Sequence, residues 1–174
     1  GDMGKIDYNE VKKQADRFYE SYHILYPIAD NEGSLHLMPP MVVCAAFSCE
    51  LYLKARYIME SEKDIRKEHS LRVLFGRLGG ESREVVIEKL RHNTALTVHI
   101  MKKGIKKHFE HAPSDHTTIA ALIDDELEKC SFAFENWRYV YESTTIYNPY
   151  PFIDCFLEAL HDAWKEGWAP PALR

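Results

Sequence analysis

The feature that most constrains the fold is an almost wholly apolar segment that begins at Met41. From Met41 to Cys49 the only polar side chain is Ser48, and Pro39–Pro40 stand where the first turn of a helix tolerates proline. A helix that is apolar on all sides is typical of the central, buried helix of a bundle. The sequence therefore predicts a buried helix from about Met41 to Glu60, with the other segments packed around it.

Apolar residues recur every three or four positions elsewhere in the chain, which is the period of amphipathic helices. These segments are Tyr8–Leu25, His69–Leu78, Glu81–Gly104, Thr118–Glu142 and Phe152–Lys165. Pro27 is interpreted as the end of the first segment, and Gly79–Gly80 as the break after the second. No alternating run is long enough to predict a strand. The predicted fold is all-α, an up-and-down helical bundle of five or six helices.

Length and composition favour a single domain over residues 1–174, of which residues 1–4 are expected to be a tag remnant or disordered. Charged residues make up 28% of the chain and interrupt every apolar stretch before it could span a membrane. We therefore expect a cytoplasmic protein with no membrane partner. The net charge of -5 argues against nucleic-acid binding through bulk charge, although a local basic patch could still bind phosphate.

Cysteine and histidine spacing predicts neither a metal site nor a cofactor. The four cysteines, Cys44, Cys49, Cys130 and Cys155, form no C-x-x-C pair and are expected to be free thiols. One short stretch holds metal-ligand residue types, His108, His111, Asp115 and His116. Its spacing differs from the H-E-x-x-H pattern, and Pro113 interrupts it, so a polar loop is the better interpretation.

Several charged residues stand within strongly apolar helical segments. Glu50 and Lys54 are spaced i,i+4 on the helix that should be most buried, so their side chains face each other. Buried charges are rare unless they are paired. We predict that Glu50 and Lys54 form one polar cluster with His69, Arg138 and Tyr139. The cluster is either a ligand site or an internal hydrogen-bonded network that fixes the helix packing.

These residues carry a resemblance to a known family. The chain shows an E-x-x-L-K helix (Glu50, Leu53, Lys54), a helix-opening segment (His69, Leu71, Leu74, Phe75) and a late Arg138–Tyr139 pair, in that order. This arrangement resembles the HEPN superfamily of nucleotide-binding helical domains from higher eukaryotes and prokaryotes, over roughly residues 41–142. The departures are Glu68 and Ser70 where the family has Gly and Asp, and Val140 where it often has Pro.

Many HEPN members are metal-independent ribonucleases that carry an Arg followed by four to six residues and a His. In this chain only Arg17 and His23 have that spacing, and they lie in the first helix rather than late in the domain. The resemblance therefore implies a non-catalytic module that binds a nucleotide, RNA or a protein such as a nucleotidyltransferase-like antitoxin, in a prokaryotic stress or defence system. A toxin-like HEPN endoribonuclease is the alternative.

Two further expectations concern surfaces. Lys102, Lys103, Lys106 and Lys107 form a basic segment near a predicted helix end, which is either a solvated terminus or a set of phosphate contacts. Ten Tyr, eight Phe and three Trp are many aromatic residues for a small bundle. Since HEPN-like domains commonly pair, and since spare aromatic surface is often buried against a second copy, we expect a homodimer.

Overall fold

The computed structural model describes residues 6–102, 116–131 and 150–168. All regular secondary structure in these ranges is helical, which confirms the all-α prediction. The helices are α1 (Tyr8–Ala29), α2 (Met38–Ser61), α3 (Leu71–Gly76), α4 (Gly80–Arg91), α5 (Thr94–Lys102), α6 (His116–Ser131) and α7 (Tyr150–Lys165), with a short 3-10 helix at Glu32–Leu37. Within the described ranges, no helix is both long enough and apolar enough to cross a membrane.

Helix α2 is the centre of the fold, as its composition predicts. Its first half is buried through Met41, Val42, Ala45, Ala46 and Cys49, and it packs against α1, α3 and α7. Pro39 and Pro40 lie in its first turn, where the missing N–H donors have no helical partner in any case. Helix α7 covers a second side of the core and also contacts α4 and α5.

The described residues form seven α-helices, more than the predicted five or six, and two predicted helix boundaries are wrong for local reasons. Helix α1 continues past Pro27 to Ala29. Proline so near the helix end forfeits only one hydrogen bond, and the burial of Ala29 in the core compensates for it. The predicted helix from Glu81 is divided, because Asn93 starts a new helix by accepting the Leu96 N–H at its side-chain oxygen, at 2.9 Å.

The start of α4 depends on a side chain from α2. Gly79, at the N-cap of α4, has no side chain to accept a backbone N–H. Glu60 holds this helix start in another way: its Oε2 accepts the N–H of Gly79 itself at 2.8 Å, and its Oε1 accepts from the Ser82 hydroxyl and from Arg56. Burial raises the pKa of Glu60, but the hydrogen bonds from Ser82, Gly79 and Arg56 together outweigh it, so the net pKa is lowered.

We predict that Glu60→Gln lowers the free energy of unfolding by about 1 kcal/mol at pH 7, because it removes the charge from these hydrogen bonds. A carboxyl group with a lowered folded-state pKa stabilises the fold above its unfolded pKa, and this contribution is lost as pH falls through the folded pKa. Urea unfolding should therefore show a difference between variant and wild type that shrinks below about pH 4. Glu20→Gln, at an exposed position of α1, is the control; a difference for Glu60→Gln that is independent of pH would contradict the assignment.

Candidate functional site

Residues 62–70, here called the connector, link α2 to α3 and carry most of the candidate site. The chain leaves α2 through Glu62, which adopts a left-handed conformation with φ of 58°. Ile65 is buried and anchors the middle of the connector to the core. At its far end Ser70 caps α3 by accepting the Val73 N–H, so the connector is fixed at both ends and in the middle.

A buried ion pair on α2 contacts the connector and holds it in place. Lys54 Nζ lies 2.7 Å from Glu50 Oε1, and the two side chains are only 8% and 6% exposed. Lys54 Nζ also donates to the backbone carbonyl of Arg66, at 3.0 Å. An ammonium group needs several acceptors when it is removed from water, and here two of them are supplied by α2 and the connector.

His69 joins the same carboxylate from the connector. Its Nδ1 lies 3.0 Å from Glu50 Oε1, while the imidazole side chain is 71% exposed. Because an ionised carboxylate only accepts hydrogen bonds, Nδ1 carries the proton, and Nε2 of the neutral ring carries none. The structure thus brings together three members of the predicted polar cluster, Glu50, Lys54 and His69. Arg138 and Tyr139 lie outside the described residues.

An open groove of about 630 Å³ lies between the connector and the end of α3. Its lining residues are Asp64, Ile65, Arg66, Lys67, Glu68 and Arg77. Arg66 is bonded to Asp64 at 2.7 Å, and Arg77 lies 3.8 Å from Glu68. The side chains of Arg66 and Arg77 are about half exposed in spite of these pairs. The groove therefore carries three cationic side chains and two carboxylates: Arg66 and Arg77 are each paired with one carboxylate and still about half exposed, and Lys67 is exposed.

A second set of polar side chains, which the sequence analysis missed, joins α1 to α7. Tyr22 bonds to Asp154, Tyr19 donates to Glu158 at 2.9 Å, and His23 lies 2.7 Å from the same carboxylate. We call these five residues, together with His161, Tyr52 and Asp16, the α1–α7 cluster. Tyr19, Tyr22 and His23 at i, i+3 and i+4, and Asp154, Glu158 and His161 at i, i+4 and i+7, each form a polar stripe that could have signalled it.

His161 is held rigidly within the α1–α7 cluster. Its ring stacks on Tyr19 with centroids 3.8 Å apart, and its Nδ1 lies 3.0 Å from the Tyr52 hydroxyl, which donates to Asp16 at 2.7 Å. Burial lowers the pKa of His161. Burial, reinforced by the neighbouring Glu158, raises the pKa of Asp154, and burial likewise raises the pKa of Tyr19 and Tyr52. Burial thus moves the pKa of each of these four groups in the direction that disfavours its charged form.

The remaining sequence candidates are placed as follows. Lys102 is the last residue of α5, and Lys103, Lys106 and Lys107 lie outside the described residues, as do His108, His111 and Asp115. His116 begins α6. In the part of the chain that the structure describes, no group of three or more His, Cys, Asp or Glu could hold a metal ion. All four cysteines are free thiols, as predicted, and burial raises the pKa of Cys155 to about 12.

The Arg17 and His23 pair lies on α1, away from the groove. Arg17 is exposed and donates to Gln14 at 2.7 Å, while His23 is bonded to Glu158. Neither residue lines the groove at the connector.

Comparison of the chain with protein-family models, with curated proteins and with solved structures found no match in any of the three.

We predict that Lys54→Met lowers the free energy of unfolding by about 3 kcal/mol, because it leaves the Glu50 carboxylate buried with His69 as its one remaining partner among the described residues. Urea denaturation at pH 7 measures the loss. Lys13→Met, which removes an exposed partner of Glu10, is the matched control and should change stability little. A loss of less than about 1 kcal/mol for Lys54→Met would show that the ion pair does not hold this region.

A second prediction concerns pH and His161. A histidine whose folded-state pKa is lowered stabilises the fold fully above its unfolded pKa, about 6.5, and this contribution is lost as pH falls. His161→Gln has no imidazole at this position, so this loss of stability with falling pH does not occur in the variant. The decrease in unfolding free energy between about pH 7 and about pH 5 should therefore be smaller for this variant than for the wild type. His36→Gln, at an exposed histidine, should leave the decrease unchanged; equal slopes for His161→Gln and wild type would refute the assignment.

Proposed function

We propose that the chain is a non-catalytic HEPN-like module, folded as an up-and-down helical bundle, whose connector groove binds the phosphate groups of RNA or of a nucleotide. The observation that carries the proposal is the groove of about 630 Å³ beside the polar cluster, with Arg66, Lys67 and Arg77 on its walls. Arginine and lysine are the side chains that proteins use for phosphate, through forked hydrogen bonds and as a compact point charge respectively.

The charge of the groove supports phosphate rather than a cation. Three cationic side chains against Asp64 and Glu68 give a formal charge of +1 here, in a chain whose net charge is -5. Glu68 is also occupied, since its Oε1 accepts the backbone N–H groups of His69 and Ser70 at 3.1 and 3.0 Å. The Arg77 guanidinium is half exposed and 3.8 Å from Glu68, so its ion pair is weak. A bound phosphate can therefore replace Glu68 as its partner.

The buried pair acts as the support of this groove and not as its surface. Lys54 is enclosed between Glu50 and the Arg66 carbonyl, so its ammonium group is not presented to a ligand. Among the three clustered residues, only His69 reaches solvent. This arrangement favours binding without catalysis over the ribonuclease alternative, whose Arg17–His23 spacing falls on α1. A cytoplasmic location remains a prediction from composition, homodimerisation one from the aromatic content and the resemblance, and a cognate antitoxin in a stress or defence system one from the resemblance alone.

We predict that Lys67→Gln/Arg77→Gln weakens binding of a labelled single-stranded oligouridylate by about tenfold or more, because each lost phosphate contact costs about 1 kcal/mol or more. Fluorescence anisotropy at low salt measures the affinity, and competition with 5′-AMP distinguishes a nucleotide site from an RNA site. Arg83→Gln/Lys13→Gln, which removes the same two charges at exposed positions of α4 and α1, is the charge-matched control.

The wild type should also lose affinity as salt is raised, as phosphate contacts require. Equal affinities for the wild type and the double variant, or no binding of either probe, would rule out the groove as a phosphate site.

A further inference from the structure

We infer that His69 is the proton-dependent donor of the connector groove, so that phosphate binding is coupled to protonation of its imidazole. This inference rests on the proposed function, since it concerns the same groove. His69 is not one of the residues that line the groove, and the inference adds it as a ligand contact. It also predicts that the affinity for phosphate depends on pH.

The orientation of the ring carries the first step. Glu50 Oε1 lies 3.0 Å from Nδ1 and fixes the proton on that nitrogen. The neutral ring therefore has only a lone pair at Nε2, which disfavours contact with a phosphate oxygen. When the ring is protonated, Nε2–H becomes a charged donor, and the hydrogen bond from Nδ1 to Glu50 is kept. Protonation thus changes what the exposed edge of the ring offers without requiring the ring to move.

The position of His69 carries the second step. It follows Glu68, whose side chain lines the groove and accepts the His69 backbone N–H at 3.1 Å. The ring is 71% exposed, so it is open to a ligand that extends beyond the lining residues of the groove. The anchoring carboxylate of Glu50 is buried, and Lys54, at 2.7 Å, holds it in place.

The charged groups around His69 on α2, on the connector and on α3 have the following partners. On α2, Glu50 and Lys54 balance each other. On the connector, Arg66 is bonded to Asp64, and Glu68 is held by backbone N–H groups and by Arg77. On α3, Arg72 is bonded to Asp124 and Glu128 of α6. Carboxylates, lysines and arginines of ordinary type do not titrate between about pH 6 and about pH 8, whereas an imidazole does.

The test measures affinity for a labelled oligouridylate without terminal phosphates at about pH 8 and about pH 6, with ionic strength held constant. Internal phosphodiesters keep one negative charge over this range, so a pH effect belongs to the protein. We expect the wild type to bind about tenfold more tightly at the lower pH, which corresponds to about 1.4 kcal/mol. His69→Gln should show equal affinities at the two pH values.

His92→Gln is the matched control. Like His69, His92 is 71% exposed and lies beside a carboxylate, that of Glu88, at 2.9 Å. It should keep the full pH effect. A wild type that binds equally at both pH values, or a His69→Gln variant that keeps the pH effect, would overturn the inference while leaving the proposed phosphate site in place. Absence of binding at both pH values would overturn the proposed function and the inference with it.

Discussion

The buried ion pair between Glu50 and Lys54 is the interaction on which the candidate site depends. Removing two charges from water is costly, and a buried pair seldom stabilises a fold more than apolar side chains of the same size would. The contribution of this pair is to fix the position of the connector. Lys54 fixes the connector through the Arg66 carbonyl, and Glu50 fixes the ring of His69, so one pair on α2 places two points of a segment that has no regular secondary structure.

Much of the fold could be predicted from local sequence signals. The apolar run after Met41 identified the central helix, and the three-to-four periodicity located the amphipathic ones. The errors arose where tertiary packing or a single cap decided the outcome. Burial of Ala29 carries α1 past Pro27, and the Asn93 side chain starts α5 in the middle of a periodic segment. Both decisions depend on contacts that local periodicity does not record.

The candidate site was only partly predictable. The i,i+4 spacing of Glu50 and Lys54 on an apolar helix was enough to predict that the two side chains pair, and the resemblance added His69. The groove could not be predicted, since it depends on a backbone carbonyl and on the course of the connector after Glu62. The α1–α7 cluster was missed because the bonds that reach α7 join residues more than 100 positions apart, such as Tyr22 and Asp154.

Amide hydrogen exchange of the connector tests the central claim most directly, because it reports local opening in a protein that is otherwise folded. In Lys54→Met, exchange should accelerate at the backbone N–H groups of Glu68, His69 and Ser70, which are hydrogen-bonded within the connector. The amides of α1 should keep their protection, and Lys13→Met should change neither region. Unchanged exchange in the connector of a folded Lys54→Met variant would contradict the account, because the buried pair would then not be what holds the groove.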